Sequence, residues 1–154
     1  MSTLHPTALR VAERLCAAGL DVDVREQEAS TRTAAEAAAA AGCELGQIVK
    51  SLVFFDDRGP VLVLCAGDRR VDTTSLGVRR ATADEVREAT GFAIGGVPPL
   101  GHDRPLRTLV DASLRRFDTV WCAAGTPRAV FEVQTERLIA ALPDGDVRDL
   151  TESA

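Results

Sequence analysis

Apolar and polar positions change period several times along the chain. From Thr7 to Ala18, Leu9, Ala12, Leu15 and Cys16 share one helical face, Arg10, Glu13 and Arg14 lie off it, and Gly19 marks the stop. Leu20, Val22 and Val24 then alternate with Asp21, Asp23 and Arg25, the period of a half-buried strand running on through "REQE". Thr33-x-x-Glu36 precedes an alanine run that closes at Gly42, which predicts a second helix with a capping box and a small-residue face. Two apolar runs, Ile48 to Phe55 and Val61 to Ala66, flank Asp56-Asp57-Arg58-Gly59-Pro60 and read as a hairpin. "RRVDTTSLG" reads as a connection or a helical turn. "TADEVREATG" reads as a short helix opened by Thr82 or Asp84 and ended by Gly91. Three further strands are predicted in "RTLVDASL", "TVWCAAG" and "AVFEV", then a last helix in "TERLIAAL" and a polar tail with room for one short strand.

Strands fill the middle of this pattern and helices stand at both ends and once between. The expected class is α+β, with a mixed or antiparallel, barrel-like sheet flanked by helices. Strict βαβ alternation and the G-x-G-x-x-G turn of a dinucleotide fold are both missing. No shift in composition divides the 154 residues, so residues 1–154 are expected to form a single domain.

Composition narrows the function classes. With a net charge of −5, tight unaided binding of long nucleic acid is not expected, although Arg69-Arg70, Arg79-Arg80 and Arg115-Arg116 are candidate local basic patches. Four cysteines without a C-x-x-C pair and two histidines are poor material for a zinc site. Cys65 and Cys122 sit in apolar runs and are expected to fill the core. No signal peptide opens the chain and no apolar run spans a membrane, so a cytoplasmic protein with no membrane partner is expected.

Two places can carry chemistry. Lys50 is the only lysine among the 18 basic residues, and it stands in a strand that is apolar on both faces. Such a lysine either snorkels to solvent or faces an anionic ligand, and pattern alone leaves both open. A narrow pocket accepts its compact ammonium where the broad fork of an arginine does not fit. The second place is "IGGVPPLG", Ile94 to Gly101. Its paired glycines admit a ligand close to the backbone, its prolines stiffen the segment, and its peptide N–H groups can act as fixed donors to an oxyanion. A plain structural turn is the competing reading. No G-x-S-x-G surrounds Ser51, Ser75 or Ser113, which leaves a serine-hydrolase triad without support. His102 is a candidate base or a loop hydrogen-bonder.

The blocks "GQIVKSLVF", "GPVLVLCAGDRRVD", "ATADEVREATGFAIGGVPPLGH" and "TVWCAAGTPRAVFEV" resemble, in order and spacing, the YbaK/prolyl-tRNA-synthetase-associated domain family over roughly residues 28 to 142. The resemblance implies a barrel-like mixed sheet with flanking helices. It also implies trans-editing, the hydrolysis of the ester between a wrong, small amino acid and its tRNA, usually tRNA for proline. It places the key lysine on Lys50 and the G-x-x-x-P loop on Gly95, Gly96 and Pro99, the candidate catalytic group. Val97, Pro98, Gly101, His102 and Ser51, with Gly125 and Thr126 of "AAGTPR", form the candidate substrate-binding group. It implies no metal and no covalent cofactor. The implied partners are the acceptor end of a mischarged tRNA and prolyl-tRNA synthetase. Two other classes compete: a non-catalytic nucleotide or aminoacyl-tRNA binding module or synthetase adaptor, and a small-molecule esterase using His102.

Overall fold

The computed structural model describes residues 4–27, 33–143 and 145–152. In chain order the elements are helix α1 (Pro6–Ala17), strand β1 (Arg25–Glu26), α2 (Ala34–Ala41), a 3-10 turn (Leu45–Gln47), β2 (Val49–Asp56), β3 (Gly59–Ala66), α3 (Thr73–Leu76), β4 (Arg79–Arg80) and α4 (Ala83–Thr90). They continue with β5 (Arg107–Asp111), a second 3-10 segment (Ala112–Arg116), β6 (Thr119–Ala123), β7 (Ala129–Gln134), α5 (Thr135–Ala141) and β8 (Asp146–Arg148). This is the mixed α+β class expected. The described strands form two sheets, ordered β4-β2-β3-β5-β8 and β1-β7-β6, which meet at a single parallel bridge between Ile48 and Trp121. Among the described residues no further pairing closes them into a barrel.

The capping and turn signals act where they were read, whereas α1 buries Ala8, Val11 and Leu15 and leaves Leu9 and Cys16 of the expected face exposed. Thr33 Oγ1 accepts the Glu36 N–H at 3.1 Å and caps α2. Thr82 and Glu85 form the reciprocal capping box of α4, and Gly42 and Gly91 close these helices in the left-handed conformation. The hairpin turns tightly, with Asp56 paired to Gly59. Arg107, from β5 next door, clamps it through two bonds of 3.0 and 2.6 Å to the Asp56 carboxylate and one of 3.1 Å to the Gly59 carbonyl.

Two strands depart from the pattern. Residues 20–24 keep their alternation, with Leu20 and Val24 buried, but they pair with no strand among the described residues. Strand pairing is confined to Arg25 and Glu26, opposite the Val130–Ala129 end of β7, with the Gln27 N–H donating to the Arg128 carbonyl at 2.8 Å beyond them. The strand's expected end at Glu28, and Asp144 in the tail, lie outside the described residues. Arg79 and Arg80 form a strand against Phe55 and Phe54, which their polar side chains did not suggest. β8 lies parallel to β5, so the sheet is mixed.

β3 is central and buried from Val61 to Ala66 on both faces. One face joins the main core, with Leu62, Leu64, Val110 and Phe131 under α1, whose Ala8, Val11 and Leu15 are wholly buried. The other face forms a smaller cluster of Phe54, Val61, Val63, Cys65, Val71 and Leu150. Cys65 and Cys122 are both buried free thiols; burial pushes Cys65 up to about 11 and raises Cys122 as well. No helix among the described residues is long and apolar enough to cross a membrane.

Candidate functional site

β4 pairs with β2 only at Phe54 and Phe55, and β6 is bridged only to Ile48, the residue just before β2. The Ala81 N–H still reaches the Val53 carbonyl at 3.2 Å, but Val49 to Leu52 have no strand paired on that edge among the described residues. A cleft of about 290 Å³ opens along it, near the lower end of the roughly 300–1,000 Å³ usual for small-molecule sites. β2 forms one side, Trp121 to Ala123 of β6 another, and the turn from Ile94 to Val97 closes a third. Ala34, Ala37 and Ala41 present a methyl-only wall from α2, so the alanine run leaves space where longer side chains would fill it.

Lys50 and Ser51 both border the cleft. The Lys50 Nζ donates to the Arg69 carbonyl at 2.5 Å, and its cross-strand neighbour Cys65 reaches the same oxygen at 3.5 Å. An ammonium has three donors, so two remain for a ligand. The Ser51 hydroxyl is buried and has no hydrogen-bond partner among the described residues.

The glycine–proline loop sorts its residues into a rim and a brace. The Gly96 N–H donates to the Ala93 carbonyl at 2.9 Å, closing a turn whose third residue, Gly95, has φ 88°. That is the type II geometry, which demands glycine there. Gly95 and Val97 stand on the cleft. Gly96 lies behind it, where its carbonyl accepts the Gly125 N–H at 2.9 Å and a Cβ would stand 2.9 Å from the Gly125 carbonyl oxygen. Gly125 in turn has φ 102° and abuts Val11 of α1.

Pro98 and Pro99 are buried off the cleft. The His102 Nε2–H donates to the Pro98 carbonyl at 2.8 Å, its ring packs on Phe92, and burial holds its pKa below the usual 6.5. The Gly101 carbonyl accepts Arg14 at 2.9 Å. The Thr126 Oγ1 accepts the Ala129 N–H at 3.1 Å, closing the β6–β7 turn. Of the candidates, the structure gathers Lys50, Ser51, Gly95 and Val97 on one cleft and sets Gly96, Pro98, Pro99, Gly101, His102, Gly125 and Thr126 behind it.

The cleft also holds residues that the motifs did not single out as site residues. Trp121 is the chain's only tryptophan, and it lines the cleft beside Lys50's strand. Arg80 lines the opposite end, next to Phe54. The other candidate basic pairs are largely neutralised: Arg116 binds Asp68, Arg115 binds Glu136, Arg79 binds Glu85 and Arg70 lies 3.8 Å from Glu152. Among the described residues no three His, Cys, Asp or Glu side chains come together in a way that could hold a metal ion.

Residues 28–141 match the aminoacyl-tRNA editing domain. The chain belongs to that family. An uncharacterised protein of Bacillus subtilis, YwhH, is 37% identical over 123 residues, covering 75% of this chain and 78% of that one. The proline–tRNA ligase of Lactobacillus gasseri is 38% identical over 76 residues, 45% of this chain but 14% of the ligase. A solved structure provisionally described as a trans-editing enzyme for prolyl tRNA synthetase superposes with a TM-score of 0.90 at 48% identity, covering 98% of this chain and 100% of that one. The editing-domain family accounts for the region that forms the cleft: β2, the Gly95 turn and β6 all fall inside the matched residues.

Proposed function

We propose that the protein is an aminoacyl-tRNA deacylase that works in trans as one domain in the cytoplasm. Its substrate is tRNA for proline carrying a small non-cognate amino acid. The observation that carries this reading is the convergence of Lys50, Gly95 and Val97 on one narrow, alanine-walled cleft in a member of the editing-domain family. The two free donors of Lys50 suit a phosphate or sugar oxygen of the terminal adenosine and hold the ester in place. In the glycine turn the Gly96 N–H is consumed internally, and the two prolines have none. That leaves the Gly95 and Val97 peptide N–H groups, which have no internal acceptor among the described residues, to polarise the ester carbonyl.

A water oxygen adds to the carbonyl carbon. The bond to the ribose oxygen then breaks, and the ribose oxygen takes up the proton. The products are the free amino acid and the uncharged 3′ end. An aminoacyl ester is already activated, so positioning and electrostatics suffice without a protein base. This agrees with His102, which does not line the cleft and is bonded to the Pro98 carbonyl. Discrimination comes from volume, at about 1–3 kcal/mol per methylene.

A panel of aminoacyl-tRNAs tests the reading. Turnover is expected for Ala, Ser or Cys on tRNA for proline, with larger side chains spared. No deacylation of any member would sink it. Saturable binding without turnover would instead support the non-catalytic binding module.

A further inference from the structure

The ammonium of Lys50 is held by a turn that lies outside the cleft. The Arg69 carbonyl that receives it ends the turn Ala66–Arg69, which is closed by the Arg69 N–H on the Ala66 carbonyl at 3.0 Å. Three contacts anchor that turn. The Gly67 N–H donates to the Ile48 carbonyl at 2.7 Å, two residues before Lys50. A Cβ on Gly67 would stand 2.4 Å from the Leu45 carbonyl oxygen, so the turn lies directly against the backbone that leads into β2. The Asp68 carboxylate receives both terminal nitrogens of Arg116, at 3.0 and 2.7 Å. Arg116 is itself fixed, with its Nε on the Ser113 carbonyl at 2.7 Å and its guanidinium 5.0 Å from the Phe117 ring centre. Neither Asp68 nor Arg116 lines the cleft.

We propose that Asp68 and Arg116 are positioning residues for Lys50: they hold the Ala66–Arg69 turn so that the Arg69 carbonyl fixes the ammonium at the cleft wall. A lysine stem carries large rotamer freedom, and a charged head that must meet one oxygen of a ligand works best when that freedom is already spent. A fixed carbonyl does this with one of three donors. The Asp68 and Arg116 side chains are about a third exposed, at 34% and 35%. An ion pair so exposed contributes little to global stability. The pair's removal should therefore disturb Lys50 far more than it disturbs the fold, which separates positioning from simple support.

Lys50 is the only lysine, so a lysine side-chain ¹⁵N spectrum contains one ammonium signal. In the unaltered protein that signal is expected to exchange slowly with water. In Arg116→Ala and Asp68→Ala it should exchange at least several-fold faster, with Asp68→Glu intermediate. Asp68→Asn, which keeps the shape and removes the charge, serves if either alanine variant fails to fold. Unchanged exchange across the folded variants would overturn the proposal. The activity arm rests on the deacylase reading: kcat should fall roughly 10- to 100-fold with KM little changed. A shifted Lys50 signal in a protein that deacylates no aminoacyl-tRNA would support the clamp and remove the deacylase reading.

Discussion

Adjacent glycines in the turn should respond to the same substitution for different physical reasons. Gly96 has no positive φ, so an alanine there meets only its surroundings: the Gly125 carbonyl oxygen at 2.9 Å, the Thr126 Cα at 3.0 Å and the Gly125 carbonyl carbon at 3.1 Å. All three are backbone and cannot swing away. Overpacking of this kind costs about 1–3 kcal/mol, and forcing the two loops apart weakens the Gly125-to-Gly96 hydrogen bond by about 0.5–1.5 more. Loss of glycine's unfolded-state freedom offsets about 0.4–1 kcal/mol. Gly96→Ala should therefore destabilise by about 0.5–4 kcal/mol, centred near about 2, a fall in Tm of roughly 4–8 °C at that centre for a chain of this length. Gly95 has φ 88° and nothing nearer than Pro127 Cγ at 4.0 Å, so there only backbone strain acts. Asparagine tolerates that conformation better than alanine does. Gly95→Asn should be milder than Gly95→Ala, whereas Gly96→Asn should be at least as damaging as Gly96→Ala. Thermal and urea denaturation of the four variants measure this. A Gly96→Ala protein that melts within about 1 °C of the parent would refute the interlock of the two glycine loops.

Other consequences follow from groups behind and within the cleft. Burial lowers the pKa of His102, so the folded chain refuses a proton that the unfolded chain takes up. Stability should begin to fall as pH drops below 6.5, and an NMR titration should place His102 below that value. A lower window comes from Asp56 and Glu85, both held near about 2 by arginine partners, whose contribution should be present above about 4.5 and lost as pH falls toward 2. The buried Asp111 carboxylate accepts the Leu150 N–H at 2.8 Å and the Ser113 hydroxyl. Asp111→Ala strands that buried N–H and should cost about 2–4 kcal/mol in urea titration. With one tryptophan and no tyrosine, intrinsic fluorescence reports Trp121 alone. Adenosine 5′-monophosphate entering the cleft should change it saturably, and a flat titration would argue against a nucleotide site there.

What was legible in the sequence was local. Thr33 to Glu36 and Thr82 to Glu85 are spaced to cap their own helices, and both pairs do so. The hairpin of β2 and β3 follows from two apolar runs and a tight turn. β4 was hidden because its only strand-forming feature is a distant partner, Phe54 and Phe55 for Arg79 and Arg80. The tail left room for the short strand β8, but not its parallel place beside Leu109 to Asp111. Residues 20–24 erred the other way, since alternation reports which side is buried and not whether a neighbour exists. The site divided along the same line. Lys50 and the Gly95 turn stand out as residue types in unusual places. The alanine wall, Trp121 and Arg80 belong to the cleft only because three elements converge on the open edge of β2. The bracing role of Gly96 needs Gly125, some thirty residues on, to be visible.

The central claim is that Lys50 makes this cleft a deacylase, and single-turnover hydrolysis of alanyl-tRNA for proline tests it most directly. The account predicts release of alanine well above the uncatalysed rate by the unaltered protein. It predicts the background rate for Lys50→Ala, and a clear loss for Lys50→Arg despite the retained charge, because the broad guanidinium does not fit where one ammonium sits between Arg69 and the cleft. Full activity in both variants would contradict it.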